Sequence, residues 1–244
     1  STAVSLVVAA CGVPVAKHGN RAASSKAGAA DTLEALSLDM DAAGRTAEKT
    51  LAEIGICFLF AKNHHPAMGR IQPIRQRLGR RTIFNLMGPL SNPAGVTRQL
   101  IGIARPAYVP IYAEAKARLG SERTLIVSGD EGLDELSLAG GNEVAEVRGH
   151  EWEMRRARAA DAGLPTAPIE AIRGGDAAHN AKALKALLMG APGPYRDAVL
   201  FNAGAALMIA GKAADYAEGA VLAAEALDSG AAEALLARWI DLAR

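Results

Sequence analysis

The chain has 244 residues, half of them apolar, with 27 basic and 26 acidic residues and a net charge of +1. A chain of that size can bury the core of one large or two smaller domains, and its near-neutral balance argues against a general nucleic-acid binder. Aromatic residues are only 4% of the total, so close packing of small side chains is expected and base stacking is not.

In chain order, residues 2–11 read as a buried helix stopped by Gly12. The end of this run, Val7-Val8-Ala9-Ala10-Cys11-Gly12, resembles a lipoprotein processing site, but no positive charge precedes it as a leader requires. No stretch approaches the roughly 18 to 20 apolar residues of a membrane span. The chain opens inside a structural element, so an upstream segment is expected. Residues 13–17 predict a short buried strand, 26–36 a helix and 39–44 a polar break. Residues 46–60 have helical spacing, with Leu51, Ile54, Phe58 and Leu59 on one side. Pro66 suits a first helical turn, and the basic segment 67–78 is interrupted by Pro73. Gly88 to Pro93 reads as a rigid loop. Strand and helix then alternate: a strand over 100–104, a helix over 108–119, a strand over 124–127 and another over 142–148. From about Ala177 the chain is helical, with breaks at 190–194 and near Gly211. This rhythm predicts an α/β fold, a mostly parallel sheet flanked by helices. Residues 39–78 read as an inserted part of a small helical domain with the hinge, between the 1–38 and 79–244 portions of the α/β domain. Cys11 and Cys57 lie in apolar runs without a CxxC partner, as packing residues of a reduced, cytoplasmic protein.

Three stretches could carry chemistry. Between Lys17 and Asp31, the cations Lys17, Arg21 and Lys26 are interleaved with Gly19, Ser24, Ser25 and Gly28 directly before a helix start. That layout gathers N–H and hydroxyl donors and a helix dipole around an anion, so a phosphate ligand is favoured over a solvated basic turn. The segment from Ser128 to Ser137 carries Asp130, Glu131, Asp134 and Glu135 after a strand. Carboxylates at a strand's C-terminal end suit Mg²⁺, and equally a solvated acidic turn; the basic loop tips the balance, because Mg²⁺–pyrophosphate joins the two. His64 and His65 lack a nearby acid, so a transition-metal site is not expected, whereas Arg75 could clamp a carboxylate or simply sit at the surface. No GxGxxG, Walker-type or GxSxG motif is present.

The block Lys17-His18-Gly19-Asn20-Arg21 through Asp31 and Glu34 resembles the anthranilate phosphoribosyltransferases. So do His65-Pro66-Ala67-Met68 with Arg75, the segment Thr82-Ile83-Phe84-Asn85-Leu86-Met87-Gly88-Pro89-Leu90, and the pair Asp134-Glu135. The resemblance runs from Ser1 to the C-terminus. It implies a nucleoside phosphorylase/phosphoribosyltransferase-like fold, with a small helical and a larger α/β domain, paired as a homodimer when full length. It also implies an enzyme of tryptophan biosynthesis, acting at the second step from chorismate. That enzyme moves the phosphoribosyl group of phosphoribosyl pyrophosphate (PRPP) to the amine of anthranilate and releases pyrophosphate. Carried over by position, PRPP would meet Ser1, Thr2, Lys17, His18, Gly19, Asn20, Arg21, Ala22, Ala23, Ser24, Ser25 and Ala29. Anthranilate would meet Asn20, Arg75 and His18, and two Mg²⁺ ions would be held by Ser1, Asp134 and Glu135. Ala29 stands where many relatives have Ser, so a contact there must come from backbone. The family's Gly-Thr-Gly-Gly-Asp loop and first helices would precede Ser1, and the 244-residue chain is therefore expected to turn over weakly or not at all. No acid or base is assigned, and neither nucleic acid nor membrane is an expected partner. Pyrimidine nucleoside phosphorylases share the architecture but differ at 17–20; a non-enzymatic nucleic-acid-binding relative would need a basic face without the acidic pair.

Overall fold

A computed structural model describes residues 1–21, 26–79 and 82–244, with the side chains of residues 68, 69, 72, 75, 76 and 85 also outside the description. Helix α1 (Thr2–Ala10) is apolar almost all round and buries Ala3, Val4, Leu6, Val7, Val8 and Ala9. A helix with no polar face is a central helix, and α1 packs against three C-terminal helices described below. Gly12, at φ 77°, turns the chain out of it. Strand β1 (Val15–Gly19) follows, then α2 (Ala29–Ala35), whose first turn is closed by the Asp31 carboxylate accepting the Gly28 N–H at 2.8 Å.

The stretch expected as a polar break is a helix, α3 (Met40–Arg45). Asp39 is its N-cap and accepts the Asp41 and Ala42 N–H groups at 2.9 and 2.8 Å, so the polar residue that reads as a break is the one that starts the helix. The single helix expected over 46–60 is two elements. Helix α4 (Ala47–Ile54) stops at Gly55, φ 74°, and strand β2 (Ile56–Phe60) begins at once. Phe58 and Leu59 therefore belong to a strand, and the run Ile-Cys-Phe-Leu-Phe is buried at every position, as a strand covered on both faces must be. β1 and β2 pair in parallel, with Lys17 opposite Phe58 and Gly19 opposite Phe60. A Cβ on Gly19 would meet the Phe58 ring at 2.9 Å, so only glycine lets the strand end lie against that ring. Met40, Ala43, Ile54 and Ile56 share one core with Leu6 and Leu33. Within the expected insert 39–78, α3 and α4 precede β2, and α5 (Ala61–His64) and α6 (Pro66–Leu78) follow it on either side of His65; α6 runs through Pro73 without ending there.

A short α7 (Phe84–Met87) and a 3₁₀ turn (Gly88–Leu90) lead to β3 (Arg98–Gly102), α8 (Val109–Leu119), β4 (Ser121–Gly129), β5 (Asn142–Gly149) and β6 (Glu151–Ala157). The second sheet has the order β3-β4-β5-β6, with β3 and β4 parallel and β4–β5 and β5–β6 antiparallel. The parallel pair β3–β4 is the one the alternating rhythm predicts, whereas β1–β2 rests on a strand where the spacing predicts a helix. The antiparallel extension through β6 escapes sequence reading, although Glu151-Trp152-Glu153-Met154-Arg155 alternates polar and apolar residues, because its apolar positions are few and the strand is largely exposed. Helices α9 (Ala177–Leu188), α10 (Pro194–Ile209), α11 (Tyr216–Asp228) and α12 (Ala231–Leu242) complete the chain. Side chains alternate across β4: Leu125 and Val127 join the core shared with α10, while Ile126 packs with Val109 and Tyr112 of α8. The result is helices on both faces of a mixed sheet, the α/β class the sequence predicts.

Arginines bind sheet to helix. Arg98 and Arg123 donate to the carbonyls of Ile209 and Met208 at 2.7 and 2.6 Å, placing two cations on the C-terminal end of α10. Buried Glu146 receives Arg123 from below and Arg148 and Arg155 from the rim. Helices α10 and α11 cross where Gly204 meets Gly219, and a Cβ on Gly219 would lie 2.5 Å from the Gly204 carbonyl oxygen. A Gly219→Leu substitution is expected to cost about 1–3 kcal/mol through overpacking against backbone; urea denaturation checks this, and an unchanged midpoint would show that the two helices can separate freely.

Candidate functional site

An open cleft of about 1810 Å³ lies at the C-terminal ends of β1 and β3, between the 17–21 segment, the turn after α5 and the loop that follows β4. Open α/β sheets present their ligand crevice at this end of the strands. Lys17, His18, Gly19, Asn20 and Arg21 line it together with Asp134 and Glu135, and Ser1 touches both Lys17 and Glu135. The basic and acidic stretches, more than a hundred residues apart in the chain, thus share one space. Ser1 also lines a smaller adjoining pocket of about 320 Å³, together with Thr2 and Ala29. Ala22, Ala23, Ser24 and Ser25 lie outside the described residues, as does the side chain of Arg75, whose backbone is in α6.

Of the four carboxylates after β4, two are taken up by other side chains. Asp130 pairs with Arg156, whose other contact is Glu143, and Glu131 accepts from the Ser137 hydroxyl. Asp134 and Glu135 are the two that reach the cleft, where Glu135 accepts from the Ser1 amino group at 2.5 Å. Their position is set by backbone: a Cβ on Gly102, at the end of β3, would overlap the Asp134 carbonyl oxygen at 1.6 Å. Just beyond them, the buried Asn202 side chain of α10 binds both the N–H and the C=O of Leu136, each at 2.9 Å. Asn142 does the same to Ser137, at 2.7 and 3.1 Å. Sequence reading missed both asparagines. The available signal for one was a lone amide between Phe201 and Ala203 in the otherwise apolar run 198–209.

Lys17 donates to the Ser1 hydroxyl at 3.0 Å. Burial lowers the Lys17 pKa and the Glu135 charge opposes that shift. Arg21 is differently employed. Its guanidinium grips Glu34 and Asp31 and stands over the Phe60 ring, so its charge ties the loop to α2 before any ligand arrives. His18 and His65 meet through their Nε2 atoms at 3.1 Å, ring edge to ring face. One ring donates and the other accepts, so two imidazolium cations cannot share the bond. Burial first, and then His65, His64 and Lys17, push the His18 pKa down, with a hydrogen bond to Gly88 acting the other way.

Asp134, Glu135 and the Ser1 hydroxyl are hard oxygen donors on one cleft, a set that fits Mg²⁺. Among the described residues no three or more His, Cys, Asp or Glu side chains gather into a cage. That also fits Mg²⁺, which is held by one or two carboxylates and completed by water and substrate phosphates.

A glycosyl transferase family model, a/b domain, matches residues 1–233, and the chain belongs to that family. Within it the chain is one of the anthranilate phosphoribosyltransferases. It is 81% identical over 243 residues to the anthranilate phosphoribosyltransferase of Erythrobacter litoralis (strain HTCC2594), covering 100% of this chain and 74% of that protein. The crystal structure of anthranilate phosphoribosyltransferase from Thermus thermophilus superposes with a TM-score of 0.93 at 46% identity, over 100% of this chain and 73% of that one. The Saccharomyces cerevisiae enzyme in complex with PRPP and Mg gives 0.89 at 28% identity, over 100% and 69%.

His18 titrates below its unfolded value of about 6.5, so the folded state binds fewer protons than the unfolded chain as pH falls beneath that value. Stability is therefore expected to be intact above about pH 6.5 and to decline on acidification. His18→Gln should flatten that decline in urea melts on either side of that pH; an equal acid loss in both proteins would separate His18 from it.

Proposed function

We propose that this chain transfers the phosphoribosyl group of PRPP to the amine of anthranilate, giving N-(5-phosphoribosyl)anthranilate and pyrophosphate. The observation that carries the reading is the shared cleft, lined by Lys17 to Arg21 together with the two cleft-facing carboxylates, Asp134 and Glu135. A multiply charged phosphate ester needs cations and N–H donors. It also needs a metal-holding acid pair. The smaller pocket at Thr2 and Ala29 extends the PRPP-binding surface from Ser1.

Displacement at an anomeric carbon develops oxocarbenium character, and the leaving group departs with negative charge. Lys17 answers that charge directly, in a half-buried position where its field is little screened. Asp134, Glu135 and Ser1 would hold two Mg²⁺ ions, which when bound supply charge neutralisation to the departing pyrophosphate. Asn20 and His18 line the acceptor side, and Arg75 would fix the acceptor carboxylate, bringing the amine to the reacting carbon. An aniline-type amine attacks while neutral, which leaves no step that requires a strong base. A neutral His18 is in keeping with this, because it can accept or donate a hydrogen bond without adding charge beside the acceptor. The same reading takes 39–78 as part of a small helical domain with the hinge, and the enzyme as a cytoplasmic homodimer when full length.

Asp134→Ala combined with Glu135→Ala is expected to remove Mg²⁺-dependent binding of PRPP, measured by titration calorimetry with and without the metal, and with it the PRPP-dependent loss of anthranilate fluorescence. PRPP binding that keeps its Mg²⁺ dependence in this variant would overturn the metal assignment. Arg75→Ala should weaken anthranilate binding, measured by calorimetry, roughly tenfold or more, as loss of a charged hydrogen bond does, and leave PRPP binding nearly unchanged. A change confined to PRPP would place Arg75 elsewhere.

A further inference from the structure

The structure assigns Asn202 the part of a positioning residue for the Asp134–Glu135 pair, with Asn142 as its counterpart on the next residue; this rests on the proposed role of that pair in holding Mg²⁺. Asn202 is 2% exposed, and its neighbours Phe201 and Ala203 are fully buried. An amide in such surroundings is unfavourable unless its groups are bonded. Here they are: Oδ1 accepts the Leu136 N–H at 2.9 Å, and Nδ2 donates to the Leu136 and Ala198 carbonyls, both at 2.9 Å. The side chain reads both backbone groups of Leu136, as a neighbouring strand would, and so fixes that residue in position and in orientation. Ser137 is held in the same manner from the sheet by Asn142, which is itself fully buried and also donates to the Ala157 carbonyl at 3.2 Å.

The upstream side of the pair is held as well. The Gly129 N–H donates to the Leu133 carbonyl at 2.9 Å, and the Asp134 carbonyl lies where a side chain at Gly102 would have to be. Asp134 and Glu135 are therefore the two residues between fixed points, with Leu136 the nearer downstream one. Asn202 lines the cleft together with them. An aliphatic residue would fill the space between Phe201 and Ala203 but would leave the N–H and C=O of buried Leu136 without these partners. What the amide adds is a specified position for the backbone that carries two metal-facing carboxylates. Groups that orient metal ligands typically change metal affinity roughly 10- to 100-fold when removed.

The test compares the parent chain with Asn202→Asp and Asn202→Ala. Asn202→Asp has nearly the same size and can still accept from Leu136, but it sets an oxygen against the Leu136 carbonyl. PRPP binding is followed by calorimetry across a Mg²⁺ series, anthranilate binding is measured separately, and thermal midpoints are recorded. Expected for both variants is a rise of at least about tenfold in the Mg²⁺ concentration that half-supports PRPP binding, with anthranilate affinity changed less than twofold. A lowered thermal midpoint with an unmoved Mg²⁺ requirement, or all ligands weakened in step, would make Asn202 a packing residue and overturn the proposal. Should Asn202→Ala fail to fold, Asn202→Asp carries the comparison. Asp134→Asn with Glu135→Gln separates the two layers of inference. If that pair moves the Mg²⁺ requirement and the Asn202 variants do not, only the positioning role falls. If the pair leaves it unmoved, or the parent shows no Mg²⁺-dependent PRPP binding, the metal reading falls and the positioning role with it.

Discussion

Two neighbouring carboxylates can both face a shared cleft only if the backbone beneath them is prevented from turning them out to water. In this chain the restraint comes from behind the loop. Gly102 lets β3 approach the Asp134 carbonyl more closely than any side chain would allow, and two buried amides hold Leu136 and Ser137 by both of their backbone groups. Each hydrogen bond is worth little in net terms, but leaving any of these buried groups unmade is expensive. The loop is thereby confined to one arrangement, and the remaining features of the site are placed relative to it. Arg98 and Arg123 extend the same logic, tying the carbonyl end of α10 to β3 and β4 so that Asn202 and the sheet keep a constant separation.

The basic stretch works by a different division of labour. Its cations are not equivalent, although in the sequence they look alike. Arg21 is spent on Glu34 and Asp31 of α2, whereas Lys17 sits on a strand whose end is pressed on the Phe58 ring and feels the charge of Glu135. A planar, permanently charged guanidinium suits a bidentate tie within the protein, and a compact ammonium on a flexible stem suits a changing phosphate. The four acids divide in the same way, into Asp130 and Glu131 held by partner side chains and Asp134 and Glu135 turned to the cleft.

Much of this was legible without coordinates. The α1 helix, the C-terminal helices and most strands have strong periodic or apolar signatures, and both the basic and the acidic stretch stand out by residue type alone. Where the sequence misled, local rules competed. Asp39 is a turn residue and also an N-cap, and only its bonds to Asp41 and Ala42 decide between the two. Residues 46–60 show helical spacing throughout, yet Gly55 ends the helix in a left-handed conformation and the apolar run after it pairs with β1. β6 offers only a short alternation, Glu151-Trp152-Glu153-Met154-Arg155, among residues left largely exposed at the edge of a sheet.

Residue types and their order were enough to specify the groups available to this protein: cations among small residues, an acid pair after a strand, and an apolar framework of α/β class. They could not specify which cation faces the ligand, which acids turn to the cleft, or what holds them there. Those outcomes depend on pairs far apart in the chain, such as Lys17 with Glu135, Gly102 with Asp134 and Asn202 with Leu136. Whether a polar group is spent inside the protein or left for a ligand is decided by its neighbours in space, and only the folded chain supplies those neighbours.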